Sequence, residues 1–216
     1  MDKNLIFHFS HNVDFRDRIA KRKKESSDVT VIAIDPGTVN MGFRIERRKK
    51  TGKVETLFME KVKIKSFKTA KIGNKSFKIE NLHQNMISYF EEFEDYYKDV
   101  DLVVIEKQLI QAPMNRIVEN MIIMYFSVIL KDSPRLPSIV TINAAMKYKI
   151  LNIEGLKGKG PNSKKQNGIV YSVNLLKKRG DERGLKMIQK YKKMDDVSDT
   201  IILCESYFKY LKKQNK

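Results

Sequence analysis

Cysteine is almost absent from this sequence. Cys204 is the single one, so no disulfide can form within a monomer and no thiolate cluster can hold zinc. It stands in an apolar stretch, which points to a buried structural thiol rather than a nucleophile. Histidine is nearly as scarce, and His8, His11 and His83 show no zinc-ligand spacing. No apolar run approaches the length that spans a bilayer, and the charged start is unlike a signal peptide. An aqueous, reducing compartment inside a cell is the expectation. Acidic residues are in deficit too: 26 Asp and Glu face 43 Lys and Arg, for a net charge of +17. A field of that sign favours polyanions, nucleic acid first and an anionic membrane surface second. The membrane option lacks a clear amphipathic basic helix.

What is present suits one ordinary domain. With 216 residues, 41% of them hydrophobic, a real core is expected and wholesale disorder is not. Residues 1–28 stand apart as a polar arm with a basic run at Arg16, Arg18, Lys21, Arg22, Lys23 and Lys24. The arm is either solvated or a grip on phosphates. Residues 29–216 form the expected domain. Residues 29–34 are β-branched and continuous, as in a buried strand, and end at Asp35-Pro36-Gly37. Further strands are expected over 41–47 and 54–62, giving three antiparallel strands joined by hairpins. Helical periodicity over 79–97 precedes a short buried strand, 102–105, that ends at Glu106. A broadly apolar helix is expected over 114–130 and a strand over 138–142. The Gly/Lys-rich segment 155–168 reads as a cationic loop. After it come a helix through Ile169 to Leu176, a basic connection over 177–184, and a strong helix over 196–211. The pattern β-β-β-α-β-α-β-α-α predicts an α/β fold, a mixed sheet flanked by helices. No internal repeat is visible.

The carboxylates fall at element boundaries. Asp35 and Glu106 close buried strands, which is where α/β sheets place their sites. Asp195, Asp196 and Asp199 open the last helix, and residues three or four apart share a helix face. Each has a plainer use. Asp-Pro-Gly is good turn chemistry, Glu106 suits a surface after a strand, and Asp195 or Asp196 suits a helix cap. Their joint placement at three boundaries is what predicts a site. Converging acids repel by several kcal/mol at an effective dielectric of about 20. A divalent cation relieves that cost, and hard oxygen ligands suit Mg²⁺ or Mn²⁺. Two such ions about 4 Å apart serve phosphodiester hydrolysis, one activating water and one stabilising the leaving oxygen.

These residues carry a resemblance. Ile-Asp-Pro-Gly-Thr-Val-Asn-Met-Gly at 34–42 resembles the opening motif of the RuvC-like Holliday-junction resolvases. The spacing of Asp35, Gly37 and Asn40 is closest to the poxviral and fungal mitochondrial branch. Val-Ile-Glu-Lys-Gln at 104–108 is similar to the second motif, a strand ending in a catalytic Glu. Asp-Asp-Val-Ser-Asp at 195–199 is similar to the acidic motif opening the last helix. The resemblance spans about residues 29–211 and keeps the family's order. It implies an RNase H-like fold, a homodimer, and paired symmetric nicks across a four-way DNA junction. By position it implies Asp35, Glu106, Asp196 and Asp199 as metal ligands for Mg²⁺, with Asp195 as adjacent support. It also implies a lysine between the second and third motifs. Lys165, beside Lys164, is the first match, and Lys147 or Lys149 the second. A virus-encoded origin is suggested by the resemblance alone.

On this reading Asp35 bridges the ions and Lys165 offsets charge on the scissile phosphate. Gly37 lets the backbone come close to phosphate or metal. The surplus cations grip junction arms through phosphates, so shape rather than sequence governs binding. The helix over 114–130 has apolar surface for either the monomer core or a dimer seam. Tyr148, Phe77 or a loop residue would wedge the junction centre. Two other readings stand beside this one: a nuclease of the same fold acting on RNA–DNA hybrids or other branched DNA, and a non-catalytic nucleic-acid-binding protein.

Overall fold

The computed structural model describes residues 6–8, 28–64, 70–72, 75–77, 81–135, 137–153 and 161–214. Its strands are β1 (Ile6–His8), β2 (Val29–Asp35), β3 (Met41–Arg48), β4 (Val54–Val62), β5 (Ala70–Ile72), β6 (Lys75–Phe77), β7 (Val100–Lys107) and β8 (Ser138–Asn143). Its helices are α1 (Leu82–Glu91), α2 (Glu94–Tyr97), α3 (Pro113–Ile129), α4 (Ala144–Leu151), α5 (Pro161–Arg179), α6 (Glu182–Ile188) and α7 (Asp195–Gln214). Six strands form one mixed sheet in the order β1-β8-β7-β2-β3-β4, and β5 and β6 pair separately. The β2-β3-β4 meander is antiparallel, while β2, β7 and β8 run parallel. This is the mixed sheet the sequence predicts. Ile6–His8 add an antiparallel edge strand against β8. Residues 9–27, which include the basic run, lie outside the described residues.

Alternation along each strand divides the protein into layers. Ile32, Ile34, Phe43, Ile45, Val103 and Ile105 face α1, α2 and α3, joined by Leu82, Phe90, Tyr97, Ile122 and Phe126. On the opposite face Val31, Ala33, Leu102 and Val104 pack under Leu203, Cys204 and Tyr207 of α7. Asp35 shares the parity of Val31 and Ala33, and Glu106 that of Leu102 and Val104. Both carboxylates therefore belong to the face that α7 covers. Cys204 is buried there, and burial pushes its thiol pKa well up, in keeping with a structural role.

Several elements depart from the sequence reading, each for a local reason. The helix expected over 79–97 breaks after Glu91 because Phe93 turns inward, with ring centroids 4.5 Å from Phe58 and 5.0 Å from Phe43. Helix α5 starts at Pro161, inside the segment read as a loop over 155–168; proline fits a first helical turn, where its missing N–H has no helical acceptor. The basic connection over 177–184 contains α6, capped by Asp181, whose Oδ1 accepts from Gly184 N at 3.0 Å. Helix α4 was not foreseen. Asn143 caps it by accepting from Ala145 N at 3.0 Å, and it closes at Asn152 in the left-handed region, φ 59°.

A polar network is buried between the meander and helices α5, α6 and α7. Arg44 on β3 is fully enclosed, pairs with Glu46, and donates to Thr56 Oγ1 at 2.8 Å. Thr56 in turn donates to Asp181 through its hydroxyl at 2.6 Å and its backbone N–H at 3.0 Å. Arg48 bridges Glu46, at 2.6 Å, and Glu205 of α7, and Arg179 of α5 meets Glu205 at 2.5 Å. Burial alone would push the Glu46 carboxyl up. The guanidiniums of Arg44, Arg48 and Arg179 overcome it and bring the Glu46 pKa down to about 2.

A carboxyl lowered from 4.5 to about 2 on folding adds about 3 kcal/mol of stability. That contribution is complete above the unfolded value and is lost as pH falls through the folded one. Glu46→Gln should cost about 3–5 kcal/mol near neutral pH, by leaving buried guanidiniums uncompensated. It should also flatten the fall in stability between pH 4.5 and about 2. Urea denaturation across that range checks both, and an unchanged slope would contradict the assignment.

Candidate metal centre

Parallel pairing of β2 with β7 sets Ile34 against Ile105, so the next residues, Asp35 and Glu106, come abreast at the carboxyl ends of neighbouring strands. Strand β8 ends on the same side, and α4 starts from it at once. That first stretch of α4 brings Lys147 back over the strand ends. Helix α7 descends onto them with its N-terminus, carrying Asp195, Asp196 and Asp199. One carboxylate oxygen each from Asp35, Glu106 and Asp199 lies within 4.8 Å of the others.

The close approach of α7 depends on Gly42. It faces Asp35 across β2–β3 and Lys61 across β3–β4. A Cβ at Gly42 would run into the carbonyl oxygen of Asp196 and come within 2.9 Å of Thr200 Cγ2. Gly37 is tight against its own turn, where a Cβ would lie 2.7 Å from Asn40 O. Its glycine thus serves the Asp-Pro-Gly turn, and the structure offers this reason beside the one expected from the sequence.

Lys147 is the cation at the centre. Its side chain is buried; its ammonium pairs with Glu106 Oε2 and lies 3.1 Å from Asp199 Oδ1. The neighbouring Tyr148 donates its hydroxyl to the same Asp199 oxygen at 2.8 Å. Room for Tyr148 comes from Gly168 of α5, where a Cβ would meet the phenol oxygen at 2.9 Å. Tyr148 is thereby committed inward rather than to a wedge, and the Phe77 side chain lies outside the described residues.

The other predicted residues ring this group. Asp196 pairs with Lys61 Nζ at 2.5 Å, on the β4 side, and is near enough to raise the Asp35 pKa. Asp195 pairs with Lys165 Nζ at 2.9 Å, and that lysine is largely exposed at the rim. The structure thus places Lys147, the second of the two lysine choices, among the clustered acids, and Lys165 one carboxylate further out. Lys61 escaped the sequence reading. The pairing of Asp35 with Gly42 and of Gly42 with Lys61 was the signal, and it needs the hairpin registers. Glu119 escaped as well: it is buried on α3 and accepts from Gln108 N at 2.9 Å. Gln108 also donates to Glu106 O at 3.4 Å, so the second motif ties the strand end to α3.

The electrostatics fit a divalent cation. Burial, then the charge of Glu106, pushes the Asp35 pKa well up; burial also raises Glu106, against the pull of Lys147. Three carboxylates against one ammonium leave two surplus negative charges when all are ionised. Like charges about 4 Å apart cost about 4 kcal/mol at an effective dielectric of 20. A hard dication taken up by Asp35, Glu106 and Asp199 removes that cost with oxygen donors of the right kind.

No protein-family model and no curated protein matches the chain. Solved structures do. The fowlpox virus Holliday junction resolvase is similar over 85% of this chain and 99% of its own, with a TM-score of 0.53 at 15% identity. The yeast mitochondrial Holliday junction resolvase Ydc2 is similar over 91% of this chain and 85% of its own, with a TM-score of 0.53 at 14% identity. RuvC of T. thermophilus, solved with a Holliday junction substrate, is similar over 86% of this chain and 96% of its own, with a TM-score of 0.50 at 11% identity. The fold is therefore the RNase H-like fold of the RuvC-type resolvases.

Gly42→Ala should lower stability by about 1–3 kcal/mol, because α7 must lift from β3 to admit the methyl group. Thermal or chemical unfolding measures this, and a loss below about 0.5 kcal/mol would mean that the helix is not seated as described.

Proposed function

We propose that this chain is a divalent-metal-dependent DNA endonuclease that resolves four-way junctions as a homodimer. The observation that carries the reading is the convergence of Asp35, Glu106 and Asp199 on one face of the sheet, in a protein of net charge +17. A fold shared with junction resolvases supports the choice of substrate over an RNA–DNA hybrid. The buried, paired lysine within an assembled acidic group supports catalysis over binding alone.

Asp35, Glu106 and Asp199 would hold the metal, with Asp196 beside them; Mg²⁺ is the preferred ion and Mn²⁺ an expected substitute. Bound there, it supplies activation of water and stabilisation of the leaving oxygen. The protein's own part is positioning. The strand ends fix Asp35 and Glu106 through backbone pairing, and Tyr148 orients Asp199. Lys61 and Lys165 put positive charge on two sides of the acids, where phosphodiester oxygens would approach. Basic residues elsewhere contact phosphates, which positions DNA without reading its sequence.

Helix α3 supplies the dimer. Val118, Ile122 and Phe126 bury one side, while Met114, Ile117, Met124 and Val128 are exposed on another, with Met121 between them only partly buried. The outward residues recur at spacings of three and four, the seam spacing of helix pairs. Met124 is 68% exposed and Val128 59%, more than isolated surface aliphatics require. A second copy is the occupant that matches such a stripe with itself about a two-fold axis, and a four-way junction offers paired strands to a two-fold pair of sites.

The decisive experiment incubates the protein with a synthetic four-way junction and a hybrid duplex, with and without Mg²⁺, and maps nicks on both strand pairs. Paired symmetric nicks in the junction are expected. Asp35→Asn should reduce cleavage by about a thousandfold or more and leave junction binding intact. Unchanged cleavage would remove Asp35 from the mechanism, and cleavage of the hybrid alone would favour the other nuclease reading. Met124→Glu should convert the dimer to monomer in sedimentation at micromolar concentration while preserving the fold. A dimer that survives the substitution would place the interface elsewhere.

A further inference from the structure

Two of the three carboxylates that would hold a metal are already paired with a side chain. Lys147 holds Glu106 Oε2 directly and lies 3.1 Å from Asp199 Oδ1, two of the three carboxylates in the cluster. Its stem is packed away from solvent, so its charge is stabilised by these acids rather than by water. An ammonium and a dication held by the same carboxylates repel each other. The surroundings permit an exchange. Tyr148 grips Asp199 Oδ1 at 2.8 Å independently of Lys147, so that carboxylate keeps its place when the ammonium moves. Glu106 is fixed by strand pairing between β2 and β8. The lysine itself has a flexible four-carbon stem with a rotatable head, whereas the acids sit on rigid elements.

We propose that the Lys147 ammonium and a divalent cation compete for Glu106 and Asp199. Lys147 then acts as a positioning residue: it offsets the charge of the acids and sets the metal affinity of the site. Metal uptake releases the ammonium from those carboxylates. This rests on the metal-dependent reading above and deepens it.

The test is metal affinity in the absence of DNA, by calorimetry with Mg²⁺ and by the free-ion spin signal with Mn²⁺. Lys147→Met should bind either ion about tenfold tighter or more, because no internal cation has to be displaced. The same variant should melt lower than the parent in chelator and recover more of its stability when Mg²⁺ is added. Lys147→Arg keeps the charge and should stay close to the parent. Affinity that is unchanged or weaker in a folded Lys147→Met protein overturns the competition. Should that variant fail to fold, the Nζ resonance of Lys147 in ¹⁵N-labelled parent protein is followed through a Mg²⁺ titration instead. A shift that saturates with the metal supports exchange, and an unmoved resonance overturns it. A parent that binds neither ion would overturn the metal-dependent nuclease itself, which is a different result from binding with unaltered affinity.

Discussion

Parallel pairing between β2 and β7 is the constraint on which the site depends. It brings two strand ends from distant parts of the chain to the same level and leaves Asp35 and Glu106 side by side with the same parity. A slip of one residue in that register would turn one carboxylate toward the aromatic layer of α1–α3 and dismantle the group. The uninterrupted apolar runs of both strands guard against such a slip, because their alternate residues fill two cores at once. The hydrophobic interior thus fixes where Asp35 and Glu106 leave the backbone, and polar partners such as Lys147 then hold the carboxylates.

Helix α7 solves the opposite problem, holding a charged terminus against those strand ends. Its first turns bring Asp196 and Asp199 over the sheet, and its middle is anchored by Glu205 between Arg48 and Arg179. The two ends do different work. The buried ion network locks the axis of the helix to β3 and α5, and Gly42 lets its start come down close to Asp35. Arginine suits the anchoring because a planar fork can serve Glu46 and Glu205 together, which a point charge could not. A site that must sit within fractions of an ångström benefits from supports that are themselves immobile.

Much of this was legible in the sequence, and the remainder divides by physical cause. Strands β2, β7 and β8 were visible as short apolar runs, and β3 and β4 through the turn between them that signals a hairpin. The acids at 35 and 106 were visible because they close strands, and those at 195, 196 and 199 because they open the last helix. Helices α4 and α6 were not, since each is short and its start depends on a side-chain cap, at Asn143 and Asp181, that is unremarkable in a polar stretch. The break after Glu91 was hidden because an aromatic cluster, not local propensity, turns Phe93 inward. The difference in placement between Asp199 and Asp196 was also hidden. Spacing alone puts them on one face, yet the structure sends one to Lys147 and the other to Lys61.

The lysines carry the least local signal and the most consequence. In a chain with 43 Lys and Arg, no single cation stands out, and a lysine preceding a visible acidic motif attracts attention that a lysine on an unforeseen helix does not. Burial is what separates them. Lys165 is mostly in water, where its bond to Asp195 is screened and contributes little. Lys147 is excluded from water and faces acids that are themselves pushed toward the neutral form. A charge so placed responds to anything that alters its neighbours, because Lys147 shares the carboxylates of Glu106 and Asp199. Sequence shows how many charges a protein has; only the sheet register and the seat of α4 show which of them must answer to one another.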